Sequence, residues 1–124
     1  MTVIPKSSQP IQHLEGRTLQ WLASPATGST ATALLENIIE PSGIIPAHYH
    51  PVEELLVCLE GQGQVVVEGM TYPFESGDTA IVHAGLIHSV RNTGRAPLRM
   101  LGFFPTDQPV ALWVDDQPAL WIEG

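Results

Sequence analysis

Short runs of apolar and β-branched residues recur along the chain and are separated by residues that favour turns. Runs of roughly four to eight such residues, bounded by glycine, proline, serine or asparagine, are typical of β-strands. The pattern predicts strands at Thr18–Ala23, Thr30–Ile39, Glu54–Glu60, Gln64–Glu68, Met70–Phe74, Thr79–Val82, His88–Asn92, Leu98–Phe104 and Val110–Val114, and a short last strand at Ala119–Ile122. This rhythm of strands and turns predicts an all-β sandwich or barrel.

The segment Ala31–Glu40 also has the composition of a short helix. It has no helix-capping residues, however, and Pro41 follows it directly. Because proline cannot continue a helix and uncapped helix ends are disfavoured, we interpret this segment as a strand.

The chain has 124 residues, a length that fits a single domain. We expect an irregular N-terminal arm at residues 1–16 and the barrel itself at residues 17–104. We expect residues 105–124 to form a C-terminal tail that packs on the barrel or on a partner. Its Trp113 and Trp121 are interpreted as packing or interface residues.

Composition supports a folded, strand-rich domain. The chain contains 11 glycines and 11 prolines, which break helices and make turns. Its hydrophobic content of 44% is ordinary for a globular protein and argues against disorder. No apolar run is long enough to span a bilayer, and Met1–Pro10 lacks the layout of a signal peptide. We therefore expect a cytoplasmic protein.

Charge and cysteine content limit which partners the chain can have. Thirteen acidic and five basic residues give a formal net charge of −8, and the basic residues are scattered. Proteins that bind nucleic acids or anionic membranes use clustered basic groups, and this chain has none. We therefore expect neither a nucleic acid nor a membrane as a partner. Cys58 is the only cysteine, so no disulfide can form within one chain. We interpret it as a buried thiol, with a place near a pocket as the alternative.

Three of the five histidines lie in two turn-rich segments. His48 and His50 are one residue apart, so in an extended chain their rings point to the same face. Glu54 follows four residues after His50, and His88 lies far downstream. Imidazoles with one carboxylate are suitable ligands for a divalent transition metal. The His-x-His pair alone does not distinguish such a site from ordinary surface or core histidines.

The spacing of these residues resembles the two motifs of the cupin superfamily, in particular its small single-domain members with a conserved barrel. The first motif is matched by Gly43, His48, His50, Glu54 and Gly61, with one residue fewer than the pattern between Gly43 and His48. The second motif is matched by Gly77, Gly85, His88 and Asn92. The departure is His83, which stands where the family has proline.

The resemblance implies a jelly-roll β-barrel, also called a double-stranded β-helix, that holds one divalent metal ion per subunit. By position in the motifs, the ligands are His48, His50, Glu54 and His88. Neutral imidazoles and a carboxylate suit Mn, Fe, Co, Ni, Cu or Zn, and do not select one of them. The resemblance also implies a homodimer.

Function is expected to follow from the metal. Cupins of this type include dioxygenases, decarboxylases, lyases and isomerases, so the first hypothesis is a metal-dependent enzyme acting on a small oxygenated metabolite. A non-catalytic module that binds or senses a small molecule is the alternative, and a structural or storage barrel is a third reading. A small-molecule substrate or ligand is the expected partner.

Strand alternation indicates which other residues surround the metal. Leu56 and Cys58 share the face of Glu54, and Val90 shares that of His88, so an apolar pocket wall is expected. His83 is the candidate general acid or base, with an exposed loop histidine as the alternative. Arg99 lies in an apolar strand, and the sequence leaves open whether it faces outward or forms a clamp for a substrate carboxylate.

Overall fold

The computed structural model of the chain describes residues 2–114 and 120–121. The strands in this part are β1 (Ile11–Leu14), β2 (Arg17–Ala23), β3 (Ala33–Ile39), β4 (Ile44–Tyr49), β5 (Glu54–Glu60), β6 (Gln62–Val67), β7 (Met70–Glu75), β8 (Thr79–Val82), β9 (His88–Asn92), β10 (Leu98–Phe104), β11 (Val110–Trp113) and β12 (Leu120–Trp121). Two single-turn 3₁₀ helices lie at Lys6–Ser8 and Pro25–Thr27. Within the described ranges, no helix is long and apolar enough to cross a membrane.

The strands form two six-stranded antiparallel sheets. The first sheet has the order β1-β2-β3-β10-β5-β8, and the second has the order β12-β11-β4-β9-β6-β7. Neighbours in each sheet are often distant in sequence, because the chain passes back and forth between the two sheets. This topology confirms the predicted all-β jelly-roll barrel.

The space between the sheets holds the apolar core. The larger cluster draws from both sheets and consists of Ile39, Ile45, Leu56, Cys58, Val65, Phe74, Val82, Val90, Leu98 and Met100. A second cluster lies nearer β2 and β11 and consists of Leu19, Trp21, Ala33, Leu35, Phe104 and Ala111. Along β10, buried and half-buried residues alternate strictly, so one side of that strand forms part of the barrel interior.

The apolar pattern of the sequence did not predict two of the strands, β1 and β4. β1 lies in the segment expected to be an irregular arm, and all four of its residues are exposed. No burial periodicity therefore marks it. β4 contains Pro46 and the first histidine of the His-x-His pair. The segment Ala31–Glu40 is a strand over Ala33–Ile39, as interpreted. Of the predicted strand at Ala119–Ile122, the two end residues lie outside the described part.

The outer face of the first sheet carries a buried carboxylate. Glu36 is 2% exposed, and its two oxygens accept hydrogen bonds from Lys6 Nζ at 3.0 Å and Arg99 Nε at 2.8 Å. Arg99 also reaches Oε1 of Glu60 at 3.2 Å. Gln20 Nε2 donates to the backbone carbonyl of Lys6 and so holds the N-terminal segment over this face. Arg99 therefore faces outward, which answers the question that the sequence leaves open.

Candidate metal centre

The structure brings together four side chains that can hold a metal ion. His48 lies in β4, His50 follows that strand, Glu54 begins β5 and His88 begins β9. His48 and His88 are opposite each other in the β4–β9 pairing. All four side chains are buried, and one ligand atom from each lies within 4.8 Å of the others. The four residues predicted as ligands are thus neighbours in space.

Backbone carbonyl groups fix the orientation of all three imidazole rings. Each Nδ1 lies within hydrogen-bond distance of a carbonyl oxygen: His48 of Pro46 at 2.8 Å, His50 of Val110 at 2.7 Å and His88 of Leu86 at 2.9 Å. Because a carbonyl oxygen only accepts hydrogen bonds, Nδ1 must carry the proton in each ring. In the neutral ring, Nε2 is then an unprotonated acceptor, the form in which a histidine binds a metal.

The acceptor atoms face one another. Nε2 of His50 lies 3.4 Å from Oε1 of Glu54, and Nε2 of His88 lies 3.2 Å from the same oxygen. When the rings are neutral, these contacts are repulsive unless a cation lies between the atoms. Nε2 of His50 is also fully buried and has no hydrogen-bond partner. Imidazole nitrogens with one carboxylate oxygen are a typical ligand set for divalent transition metals, so the residues fit such an ion.

The protonation states also suit metal binding. Burial, helped by repulsion from His88, lowers the pKa of His48 to about 3 and keeps its ring neutral. Burial alone would raise the pKa of Glu54, but the adjacent imidazoles of His50 and His88 outweigh it and hold that pKa at about 2. Near neutral pH the centre therefore offers a neutral His48 and an ionised Glu54, without first releasing protons from them.

Two aromatic side chains cover the histidines. The ring centroid of Trp113 lies 4.9 Å from that of His48, and Phe104 packs edge-on against His50 at 4.9 Å. Both aromatic residues belong to strands that border the smaller core cluster. Trp113, interpreted from the sequence as a packing or interface residue, packs against a candidate ligand.

Residues 36–104 match the Cupin domain family. The chain belongs to the cupin superfamily. The match covers more than half of the chain and includes all four candidate ligands. The cupin resemblance of the two sequence motifs is therefore confirmed.

The chain is similar to one curated protein and to several solved structures. The polyketide synthase CurC of Streptomyces cyaneus is 32% identical over 88 residues, which cover 69% of this chain and 57% of that relative. The polyketide cyclase RemF of Streptomyces resistomycificus superposes with a TM-score of 0.80 at 21% identity, over 94% of this chain and 87% of RemF. Oxalate decarboxylase of Bacillus subtilis gives a TM-score of 0.80 at 24% identity, over 88% of this chain and 30% of that one. At these identities the two structures show a shared fold.

The sequence also predicts further residues around the candidate metal centre. Leu56, Cys58 and Val90 are at most 2% exposed and belong to the larger core cluster of the cupin barrel. Burial is the main cause that raises the pKa of the Cys58 thiol. Their part in a pocket wall stays a prediction.

His83 lies on the surface, between β8 and β9. Its side chain is 71% exposed, and Nδ1 lies 3.0 Å from Oε1 of Glu53, the neighbour of the candidate ligand Glu54. The catalytic role of His83 stays a prediction.

Two cavities lie on this side of the barrel, and the inner one is bordered by two of the candidate ligands. The inner one measures about 40 Å³ and is bordered by His50 and Glu54 together with Arg17, Asn37 and Phe104. A wider outer cavity of about 580 Å³ opens between the β1–β2 turn, residues 41–44 and Trp113. Leu14, Arg17 and Trp113 line both cavities. Sequence reasoning missed Arg17, because nothing in the local pattern indicates that this arginine faces the barrel interior.

Gly102 was also missed by the sequence reasoning. It lies on the inner side of β10, and a Cβ atom at this position would lie 2.9 Å from Oε2 of Glu54 and 3.3 Å from Leu35. The absence of a side chain therefore leaves the space that the Glu54 carboxylate occupies.

Proposed function

We propose that this cupin is an enzyme that binds a divalent transition-metal ion and acts on a small oxygenated metabolite. Its proposed ligands are His48, His50, Glu54 and His88. The proposal rests on one observation: three imidazoles, each with its Nδ1 at a backbone carbonyl, turn their other ring nitrogen towards the Glu54 carboxylate in a buried position. Mn, Fe, Co, Ni, Cu and Zn all accept this ligand set.

For the reaction, we propose an enolate-forming cyclisation of a polyketide-type substrate. Two relatives support this choice, since one is named a polyketide synthase and another a polyketide cyclase. An intramolecular aldol reaction forms one carbon–carbon bond, moves one proton from carbon to oxygen and can then release water. Neither oxidant nor reductant is consumed. A dioxygenase reaction, with manganese or iron, is distinguished by its uptake of dioxygen.

The chain contributes to this chemistry by positioning and by excluding water. A bound divalent ion would supply Lewis-acid stabilisation of the negative charge that develops on substrate oxygens. The carbonyl groups of Pro46, Val110 and Leu86 hold the three rings in one tautomer. Trp113 and Phe104 cover the rings and keep bulk water from them. Charged groups interact more strongly in such a buried setting.

Elemental analysis of purified variants tests the metal site. We expect the wild-type protein to hold close to one metal ion per chain, and His48→Ala and His88→Ala to lose it together with any turnover. His13→Ala is the matched control, because His13 is an exposed histidine in β1 that lies outside the centre. Full metal occupancy in both the His48 and His88 variants would contradict the ligand assignment.

A non-catalytic binding module is the second candidate, and one observation favours it. In the part of the chain that the structure describes, Arg17 is the only titratable residue besides His50 and Glu54 that borders the inner cavity. General acid–base catalysis there would need another group. A panel of β-diketones and β-keto acids separates the two functions. Saturable binding without product formation supports the module, and product formation supports the enzyme.

We also propose that the cupin forms a homodimer through the N-terminal strand. β1 is an edge strand in which Ile11 is 52% exposed and Leu14 is 40% exposed. Exposed apolar residues on an unpaired sheet edge favour association with a second copy.

A further inference from the structure

Arg17 is a buried cation that forms no ion pair within residues 2–114 and 120–121. It lies on the inner side of β2 and is 9% exposed. Its Nη1 donates a hydrogen bond to Oδ1 of Asn37 at 3.0 Å. Arg99 offers a contrast, because its more exposed guanidinium meets the carboxylates of Glu36 and Glu60.

Such burial is costly unless something compensates for the charge. Burial lowers the pKa of Arg17 to about 10, which still leaves the guanidinium charged near neutral pH. A guanidinium has five N–H donors, of which Asn37 accepts one. An apolar side chain of similar length would fill the same space at lower cost. The arginine is therefore better explained by a ligand than by packing.

The position of Arg17 indicates which ligand. It borders the inner cavity together with His50 and Glu54, and it borders the outer cavity together with Ile44 and Trp113. Since Arg17, Leu14 and Trp113 line both cavities, a molecule that occupies both would lie beside Arg17. Several residues that line the outer cavity are apolar, among them Leu14, Ile44 and Trp113, and they suit the hydrocarbon part of a ligand.

We propose that Arg17, oriented by Asn37, binds an anionic oxygen of the substrate beside the metal centre while the apolar body of the substrate lies in the outer cavity. The substrate class is then an aromatic or polyketide-type molecule with a carboxylate or an enolate-type oxygen. Guanidinium groups bind such oxygens through short, charge-assisted hydrogen bonds. The orientation of the substrate in this proposal rests on the proposed metal-dependent function. Anion binding at Arg17 can nevertheless be measured without metal.

Isothermal titration calorimetry on the full chain tests the proposal with three probes. Benzoate carries a carboxylate, benzamide is its uncharged analogue, and tropolone carries an enolate-type oxygen. The titrations use metal-loaded and metal-free samples, and elemental analysis gives the metal content of each. We expect an anionic probe to bind wild-type protein at least about tenfold more tightly than benzamide. We expect Arg17→Met to lose that preference while holding as much metal as wild type.

Two further variants keep the test decisive. Arg91→Met is the matched control, because Arg91 is an exposed arginine on β9, and it should keep wild-type affinity. Asn37→Leu retains the charge of Arg17 but removes its hydrogen-bond partner, so it should weaken anion binding without changing the metal content. If Arg17→Met folds poorly, Asn37→Leu gives the answer.

The outcomes distinguish a carboxylate from an enolate-type oxygen as the bound group. They also distinguish failure of the Arg17 proposal from failure of the metal proposal. If benzoate binding depends on Arg17, the bound group is a carboxylate. If only tropolone binding depends on Arg17, the bound group is an enolate-type oxygen. The subsite proposal is overturned if benzamide binds as tightly as the anions, or if Arg17→Met and Arg91→Met bind them equally. A wild-type protein that holds no metal but binds benzoate through Arg17 overturns only the metal proposal.

Discussion

Gly102 lies so close to Glu54 that a Cβ atom on the glycine would be 2.9 Å from the carboxylate Oε2. Strand β10 is paired with β3 on one side and with β5 on the other, so its backbone has little freedom to move away. The side chain of Leu35 closes the same space from another direction. The position of the Glu54 carboxylate therefore depends on the missing side chain at residue 102.

Replacing Gly102 by alanine should weaken metal binding. The new methyl group would displace the carboxylate of Glu54, and misplaced supporting groups typically cost about 10–100-fold in metal affinity. Competition with a chromophoric chelator measures the change. Gly69→Ala is the matched control: the β6–β7 turn has φ +79° there, so alanine is strained, but its Cβ meets no atom within 4 Å. It should lower stability and leave metal affinity unchanged. If Gly102→Ala and Gly69→Ala bind metal with the same affinity, the role of Gly102 is contradicted.

The candidate ligands could be predicted because they stand in two short motifs that resemble those of the cupins. His48, His50 and Glu54 lie within seven residues of one another, whereas His88 was found only through the second motif. Arg17 and Gly102 are different, since long-range pairing decides what they face. Arg17 comes directly after a turn, and only the pairing of β2 with β3 places it on the inner side near Asn37. No pattern within one strand contains that register.

The partners of Arg99 illustrate the same limit. Burial alternates along β10 and turns Arg99 outward, but the β10–β5 pairing shifts register between Arg99 and Met100, so the strand's own pattern does not indicate which carboxylates Arg99 meets. Strand β1 was missed for another physical reason. All four of its residues are exposed, and a strand without a buried face has no periodicity in its sequence.

Adding a divalent metal should raise the thermal stability of the metal-free protein. An ion that binds only the folded state stabilises it by about 4 kcal/mol at a free concentration of roughly a thousand times Kd. The rise in Tm should increase with Zn²⁺ or Mn²⁺ concentration and reverse on addition of a chelator, as measured by differential scanning calorimetry. Glu54→Gln should reduce the rise, because it removes the carboxylate charge. A wild-type Tm that does not respond to metal would argue against the centre.

Replacing His83 should slow turnover without releasing metal. If His83 and Glu53 form a proton-transfer pair, His83→Gln should lower kcat by about 10²-fold or more and leave the metal content and KM near wild-type values. The measurement is steady-state kinetics on a substrate found in the β-diketone and β-keto acid panel. His83→Pro restores the residue that the cupin motif has at this position. If this variant keeps full activity, His83 has no catalytic role.

Charge on strand β1 should prevent dimer formation. None of the side chains of β1 is buried in the barrel, so Ile11 gains little from its own subunit and is free to pack on another copy. We expect a dimer at micromolar concentration by sedimentation velocity, and a monomer for Ile11→Lys. Ile81→Lys, on edge strand β8, is the control, since Ile81 is 59% exposed and belongs to the other end of the same sheet. A monomeric wild-type protein would refute the dimer, and a monomeric Ile81→Lys would move the interface to β8.

The buried carboxylate of Glu36 should make part of the folding stability depend on pH. Burial acts to raise the pKa of Glu36, but the hydrogen bonds from Arg99 and Lys6 outweigh it and lower that pKa below its usual value. A carboxyl group whose pKa is lower in the folded state stabilises the fold above its unfolded pKa, which is about 4.3 for glutamate. This contribution is lost as the pH falls through the folded-state pKa.

Glu36→Gln should therefore be less stable than wild type at pH 7 by about 1–2 kcal/mol, a modest value because Lys6 and Arg99 are partly exposed. Urea unfolding over a pH series measures the difference, which should shrink steadily as the solution is acidified below about pH 4. Glu60→Gln is the control, since Glu60 meets the same Arg99 but its side chain is 68% exposed. It should cost less than about 0.5 kcal/mol at any pH. A Glu36→Gln deficit that stays constant down to acidic pH would show that the lost stability comes from packing rather than from the charge.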